Sequence, residues 1–218
     1  MRETIGAAAV RDLFVDESAP FAAEFLDRGG LAVTSQVIAA LTDTSTPQGV
    51  VAVAEERAIE AEAIDGDLVV VLADVRDPGN AGTLLRSAVA AGSSGVVFAK
   101  GSVDPFNPKT VRATAGLLFR VPLVHDVALE DALGLLKARG FFVVGADAGA
   151  NVAPEDVDLT QSVALVLGNE SWGIEAGAQP LLDEIVGIPM PGPAESLNVG
   201  IAGSILLFEA IRQRRLRF

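Results

Sequence analysis

The chain of 218 residues contains no cysteine, one histidine, one tryptophan and no tyrosine. Without cysteine there are no disulfides and no thiolate metal sites. A single histidine excludes a multi-histidine zinc centre, and no cluster of metal-ligating residues stands out, so no metal is expected. No apolar run is long enough to cross a bilayer, so no membrane association is expected. The first residues, MRETIGAAAVRDLFVDE, carry acids where a secretory leader would have its apolar core. These absences fit a cytoplasmic protein. Basic residues are also scarce, 16 Lys and Arg against 29 Asp and Glu, for a formal net charge of −13. Nucleic-acid binders usually carry a basic surface, because neutralising phosphates releases counterions. Charge taken as an average therefore argues against RNA or DNA as a partner.

The average hides segregation. From Asp74 to His125 the positive residues are Arg76, Arg86, Lys100, Lys109, Arg112 and Arg120, against Asp74, Asp77 and Asp104. Arg212, Arg214, Arg215 and Arg217 add charge at the C-terminus, while the acids collect before Asp74 and between Asp126 and Glu184. A basic face on an acidic body is possible. Hydrophobic residues make up 50% of the chain, with 22 glycines and 11 prolines, a packed composition with many tight turns.

From Asp67 onward, apolar runs alternate with helical stretches. LVVVLADV (68–75) predicts a strand buried on both faces. RDPGN supplies turn chemistry, and AGTLLRSAVAA predicts a helix stopped at Gly92. GVVFAK, FFVVGAD, VALVLGN and EIVGIPM predict further strands, and PKTVRATAGLLF and 130–139 predict helices, the latter closed by Gly140. A last helix is expected from Ser196, its N-cap, to about Arg215. Alternating βα units predict a mainly parallel α/β sheet with right-handed crossovers. Before Asp67 the texture differs. VRDLFVDE, AAEFLDRG, LAVTSQVIAALTDT and QGVVAVAEE suggest a small α/β unit, and EERAIEAEAIDGD reads as a charged linker. The expected division is 1–56, a linker at 57–66, and 67–218.

Three motifs could carry chemistry. ADVRDPGNAGTLLRSAVAAG (73–92) places a glycine-containing turn before a helix N-terminus, a natural ligand site, but it is neither GxGxxG nor a Walker loop. Asn80 there serves either as a helix cap or as a ligand contact, and Arg86 either as a solvated mid-helix charge or as a functional one. VLGNESWGIEAG (166–177) puts Asn169 and Glu170 at a strand's carboxyl end, where open α/β sheets bind ligands. The plain alternatives are capping for Glu170 and packing for Trp172. IPMPGPAESLNVGIAGSILLFEAI (188–211) leads through a Pro/Gly loop into a helix whose Gly200, Ala202 and Gly203 make one face small, open either to tight packing or to a ligand.

In this order and spacing the three motifs resemble the signature motifs of the SpoU (TrmH-like) branch of the SPOUT methyltransferases, over about residues 67–218. The GNESWG form is similar to the ribosomal-RNA members, including the thiostrepton-resistance type. TPQGVVAVAE resembles the end of the family's L30e-like RNA-recognition domain, which implies that the chain begins inside that domain. The resemblance implies a SPOUT-type α/β knot, a trefoil-knotted and mainly parallel sheet with flanking helices, preceded by a partial L30e-like substrate-binding domain at 1–56. It implies S-adenosyl-L-methionine as cofactor, held by Leu167, Gly168, Asn169, Ile188, Pro189, Met190, Ser196 and Leu197. Asn80, Arg86, Glu170, Ser196 and Asn198 fall on the family's catalytic positions. A guanidinium has a pKa above about 12, so Arg86 suits a phosphate clamp that stabilises a developing alkoxide better than a base. The implied activity is methyl transfer to a ribose 2′-hydroxyl, with 23S ribosomal RNA the expected substrate and tRNA the nearest alternative. A non-catalytic RNA-binding or ribosome-assembly relative is the alternative from another class, and the missing glycine fingerprint disfavours a Rossmann nucleotide enzyme. The resemblance also implies a homodimer, with the small-faced final helix as a candidate interface element. The family often has SLNVS where this chain has SLNVG, with Gly200.

Overall fold

A computed structural model of the chain describes residues 10–216. Arg217, counted above in the basic C-terminus, and the first nine residues lie outside them. The chain divides between Glu56 and Arg57 into two units.

The first unit comprises β1 (Val10–Asp16), α1 (Ala22–Leu26), β2 (Leu31–Val33), α2 (Ser35–Ala40) and β3 (Val50–Ala54). β1 is the central strand, parallel to β2 and antiparallel to β3. Its residues Leu13 and Val15 point to one face, as the two-residue period of a strand requires, and meet Ala22, Phe25 and Val50 in a small core. Phe21 and Phe25 pack edge to face at 5.7 Å.

The second unit comprises β4 (Leu68–Leu72), α3 (Pro78–Ala90), β5 (Gly95–Ala99), α4 (Pro108–Ala113), β6 (Leu123–Val127), α5 (Leu129–Ala138), β7 (Phe142–Ala146), β8 (Val163–Leu167), β9 (Glu184–Val186) and α6 (Val199–Arg215). Its sheet has six strands in the order β6-β5-β4-β8-β7-β9, and every pairing is parallel. All five residues of β4, β5 and β8 are buried, which explains their unbroken Val/Leu runs. Alternate residues feed two layers. Leu68, Val70 and Leu72 join Leu84, Leu85 and Leu207 from α3 and α6, whereas Val69 and Val71 join Leu133 and Leu136 from α5.

Several elements depart from the sequence reading. β4 stops at Leu72, because Asp74 adopts a left-handed backbone with φ of 62°. The helix expected over PKTVRATAGLLF breaks after Ala113, because Ala115 and Gly116 are left-handed, and only a 3₁₀ turn, Leu117–Arg120, follows. α6 begins at Val199, and its N-cap is Asn198, not Ser196: the Asn198 Oδ1 accepts from the Gly200 and Ile201 amides. The expected stop glycines are in place, with Gly92 at φ 71° and Gly140 at φ 85°. Residues 57–66 are not free linker. Ile64 and Ala61 are buried, and Arg139 donates to the carbonyls of Ala61, Glu62 and Ile64. No helix among the described residues is long and apolar enough to cross a membrane.

Candidate active site

Ligands bind open parallel sheets beyond the carboxyl ends of strands where the strand order reverses. In the second unit that point lies between β4 and β8, which are neighbours in the sheet although β5 to β7 intervene in sequence. Their carboxyl ends are joined: the Asn169 side-chain amide donates to the Asp74 carbonyl at 2.9 Å. The buried Asn169 also closes a tight turn with Gly173, exchanging backbone hydrogen bonds of 3.0 and 2.9 Å, while its Oδ1 accepts from the Ser171 amide. Gly168 must be glycine here, since a Cβ would lie 2.4 Å from the Gly173 backbone.

Beside this turn lies a cavity of about 330 Å³. Leu167, Gly168, Asn169, Ile188, Met190, Ser196 and Leu197 line it, as does Glu170. Pro189 does not; it is exposed on the neighbouring loop. The sequence reading missed Ala146 at the end of β7, Asp147 and Ala148 after it, and Val199, Ala202 and Leu206 of α6. The small Ala202 was the signal available for α6. Asp147 offered none, because a carboxylate after a strand is common. The volume is within the range of small-molecule sites. An apolar floor of Leu167, Ile188, Val199 and Leu206 suits a flat nucleoside base, and the Asp147 and Glu170 carboxylates suit hydroxyls and positive charge.

At the rim, three side chains from three motifs form a chain of hydrogen bonds. The Asn198 amide donates to the Asn80 Oδ1 at 2.8 Å, and the Asn80 amide donates to the Glu170 Oε1 at 2.5 Å. Asn80 is free to do this because it does not cap its own helix. Asp77 does, accepting from the Asn80 backbone amide at 2.8 Å. Asn198 is held from the other side by its capping bonds to α6. Glu170 caps no helix. Ser196 lines the cavity, and no hydrogen bond joins it to the three. Arg86 lies six residues beyond Asn80 on α3, about 240° around it at 3.6 residues per turn. Its side chain is exposed and has no ion pair or hydrogen bond among the described residues.

The basic residues separate into two groups. Arg214 is committed to Asp67 and to the Leu159 and Gln161 carbonyls, and Arg212 is paired with Glu209. Arg86, Lys100, Lys109 and Arg112 are exposed and carry no intramolecular ion pair among the described residues. The small face of α6 divides: Ala202 lines the cavity, whereas Gly203 is packed within the unit, where a Cβ would lie 2.3 Å from both Leu84 and Leu167. The exposed face instead carries Ile201, Ile205 and Phe208, at helical spacing. Trp172 is not a packed core residue either, being 57% exposed.

A crossover-built parallel sheet with a nucleoside-sized cavity at its switch point defines an α/β ligand-binding enzyme fold. Residues 67–208 match the SpoU rRNA Methylase family. The chain is 38% identical over 180 residues to the Bacillus subtilis 23S rRNA (guanosine(2553)-2′-O)-methyltransferase RlmP, a match spanning 81% of this chain and 70% of that one. It is 41% identical to a Xanthomonas axonopodis 23S rRNA (guanosine-2′-O-)-methyltransferase RlmB over 67% of this chain and 59% of the relative. Among solved structures, the SpoU methyltransferase AviRb from Streptomyces viridochromogenes in complex with AdoMet superposes with a TM-score of 0.88, at 32% identity, over 98% of this chain and 87% of that one. The chain belongs to the SpoU rRNA methylase family.

Proposed function

We propose that the chain transfers the methyl group of S-adenosyl-L-methionine to a ribose 2′-hydroxyl of 23S ribosomal RNA in the cytoplasm. The observation that carries this is the Asn198–Asn80–Glu170 chain of hydrogen bonds at the cavity rim, assembled from three distant segments. The cofactor, when bound, supplies an electrophilic methyl group on a positively charged sulfur. Leu167, Gly168, Asn169, Ile188, Met190, Ser196 and Leu197 would hold it, and Asp147 would add a carboxylate that the sequence did not single out. Glu170 accepts the hydrogen bond of the target hydroxyl at its carboxylate, while Asn80 and Asn198 fix that carboxylate's orientation. As the oxygen takes the methyl group, the hydroxyl proton passes to the Glu170 carboxylate, while Arg86, an unpaired cation, binds an RNA phosphate and stabilises the negative charge that develops. Alignment of hydroxyl and methyl supplies much of the rate.

Two further elements belong to this reading. The first unit serves as an L30e-like RNA-recognition module, and the second threads as a trefoil knot. The protein acts as a homodimer through the Ile201, Ile205 and Phe208 face of α6, since an exposed apolar stripe of this kind marks an association surface. The structures resembling this chain along nearly its whole length include a methyltransferase with bound AdoMet, which supports the cofactor assignment.

Calorimetric titration of the whole chain with S-adenosylhomocysteine tests the proposal. One site per subunit is expected. A folded sample that binds none would overturn it. Light scattering tests the dimer, which a mass near the 22.4 kDa of one chain would refute.

A further inference from the structure

Trp172 is the only tryptophan of the chain. It is 57% exposed, although an indole gains most by burial. It is not loose. Its Nε1 donates to the Asp74 Oδ2 at 3.1 Å, and the Arg76 guanidinium lies over its ring at 5.0 Å from the centroid. Arg76 is itself clamped by Asp74, with Nε donating to Oδ1 at 2.7 Å and Nη2 to Oδ2 at 3.2 Å. Asp74 in turn has a left-handed backbone, φ 62°, and its carbonyl is fixed by Asn169. Strain of that kind persists only where the surroundings enforce it. The result is an indole and a guanidinium held in place at the protein surface.

Trp172 lines the large cavity and also a second one of about 220 Å³, shared with Asp74, Arg76, Lys100, Leu129 and Glu175. Asp74 is neutralised by Arg76, and Lys100 is exposed with no ion pair among the described residues. Glu170, proposed to face the target hydroxyl, is two residues away in the same turn. Flat aromatic and guanidinium surfaces beside an unpaired cation suit single-stranded RNA, because unpaired bases stack on the planes while a phosphate meets the cation.

We infer that Trp172, backed by Arg76, is a stacking platform for an unpaired RNA base next to the methylated nucleotide, with Lys100 taking an adjacent phosphate. This rests on the reading of the chain as an RNA methyltransferase. The rigid mounting explains why the residue stays exposed, since a pre-oriented ring loses little entropy when a base docks. Trp172 then selects substrates with an unstacked neighbour and does no chemistry.

The sole tryptophan makes the test direct. The whole chain, saturated with S-adenosylhomocysteine at low salt, is titrated with the hexanucleotide rA6 while tryptophan fluorescence is followed. A base stacked on the indole quenches it, whereas an abasic six-mer of equal charge does not. W172A should bind rA6 roughly 5- to 150-fold more weakly, the range for alanine substitution at stacked bases, and W172F should recover most of the loss. The melting temperature of both variants should stay near that of the wild type, which reports that they are folded. No quenching of the wild type up to millimolar rA6, or equal rA6 affinity in W172A, would overturn the inference. So would a selective loss of S-adenosylhomocysteine binding in W172A, which would make the indole a cover for the cofactor. Failure of the wild type to bind S-adenosylhomocysteine would instead count against the methyltransferase reading.

Discussion

The two units solve the burial problem differently. In the first, β1 alternates, and among the described residues Leu13, Val15, Ala22, Phe25 and Val50 form the buried cluster. In the second, β4, β5 and β8 are buried along their entire length between two helical layers. A core as small as the first leaves little margin against the entropy of folding. The second can hold irregular backbone in place, and three pieces of it gather at the candidate site. The left-handed Asp74, the tight Asn169–Gly173 turn and the cap at Asn198 all lie at the carboxyl edge of its sheet. Chemistry collects where a rigid scaffold can hold unusual loops still.

That contrast predicts different consequences for substitutions in the two units. The largest effect is expected for Arg86→Ala, which removes an exposed, unpaired side chain. Methyl transfer should fall by about 10²- to 10³-fold, with S-adenosylhomocysteine affinity and melting temperature unchanged. Loss of cofactor binding along with activity would show that Arg86 supports the cavity instead of the RNA.

Next comes Phe25→Ala in the small core, expected to cost about 3 kcal/mol. Hydrogen exchange should show β1 and β3 losing protection while β4 and β8 keep theirs, and S-adenosylhomocysteine should bind as before. Equal loss of protection in both units would break the contrast.

Gly168→Ala probes the irregular edge. Its Cβ would lie 2.4 Å from the Gly173 backbone, so the turn must open. Affinity for S-adenosylhomocysteine should drop by about tenfold or more, by analogy with the 1–3 kcal/mol cost of overpacking. An unchanged affinity would remove this turn from the cofactor site.

The smallest effect concerns pH. Burial works against the Asp183 charge, but the Lys137 ion pair and the Val143 amide, which donates at 2.8 Å, outweigh it and hold the carboxyl below its ordinary 3.8. A depressed carboxylate contributes stability that is present above the ordinary value and is lost as pH falls through the lowered one. Asp183→Asn should therefore reduce stability at pH 7 by less than about 1 kcal/mol and flatten its decline below pH 3.8. An acid titration of melting temperature for both proteins checks this.

How much of this was legible beforehand follows from the same contrast. The Val/Leu runs of β4, β5 and β8 announce strands buried on both faces, and a parallel sheet with crossover helices follows from them. Glycines at 92 and 140 mark helix ends because the backbone there is left-handed. Non-glycine positive φ values are invisible to pattern reading, so Asp74 and Ala115 ended a strand and a helix early. Capping was misplaced for a related reason. Ser196, Asn198 and Asp77 are all good caps, and only the geometry decides among them. At the site, Glu170, Asn80 and Asn198 were legible as residues of three motifs, but not their bonding to one another, which depends on packing distant segments together. The small residues of α6 were visible too, yet composition cannot say whether a small face meets a neighbour within the unit or a partner outside it. Trp172 defeated the prior that a lone tryptophan packs inward.

The central claim is methyl transfer to a ribose hydroxyl. The most direct test incubates the whole chain with a 23S ribosomal RNA transcript and S-adenosyl-L-methionine carrying a labelled methyl group, followed by digestion to nucleosides. The account predicts label in a single 2′-O-methylnucleoside, strongly reduced in an Arg86→Ala control. Label on a base, or none from a folded protein that binds S-adenosylhomocysteine, would contradict it.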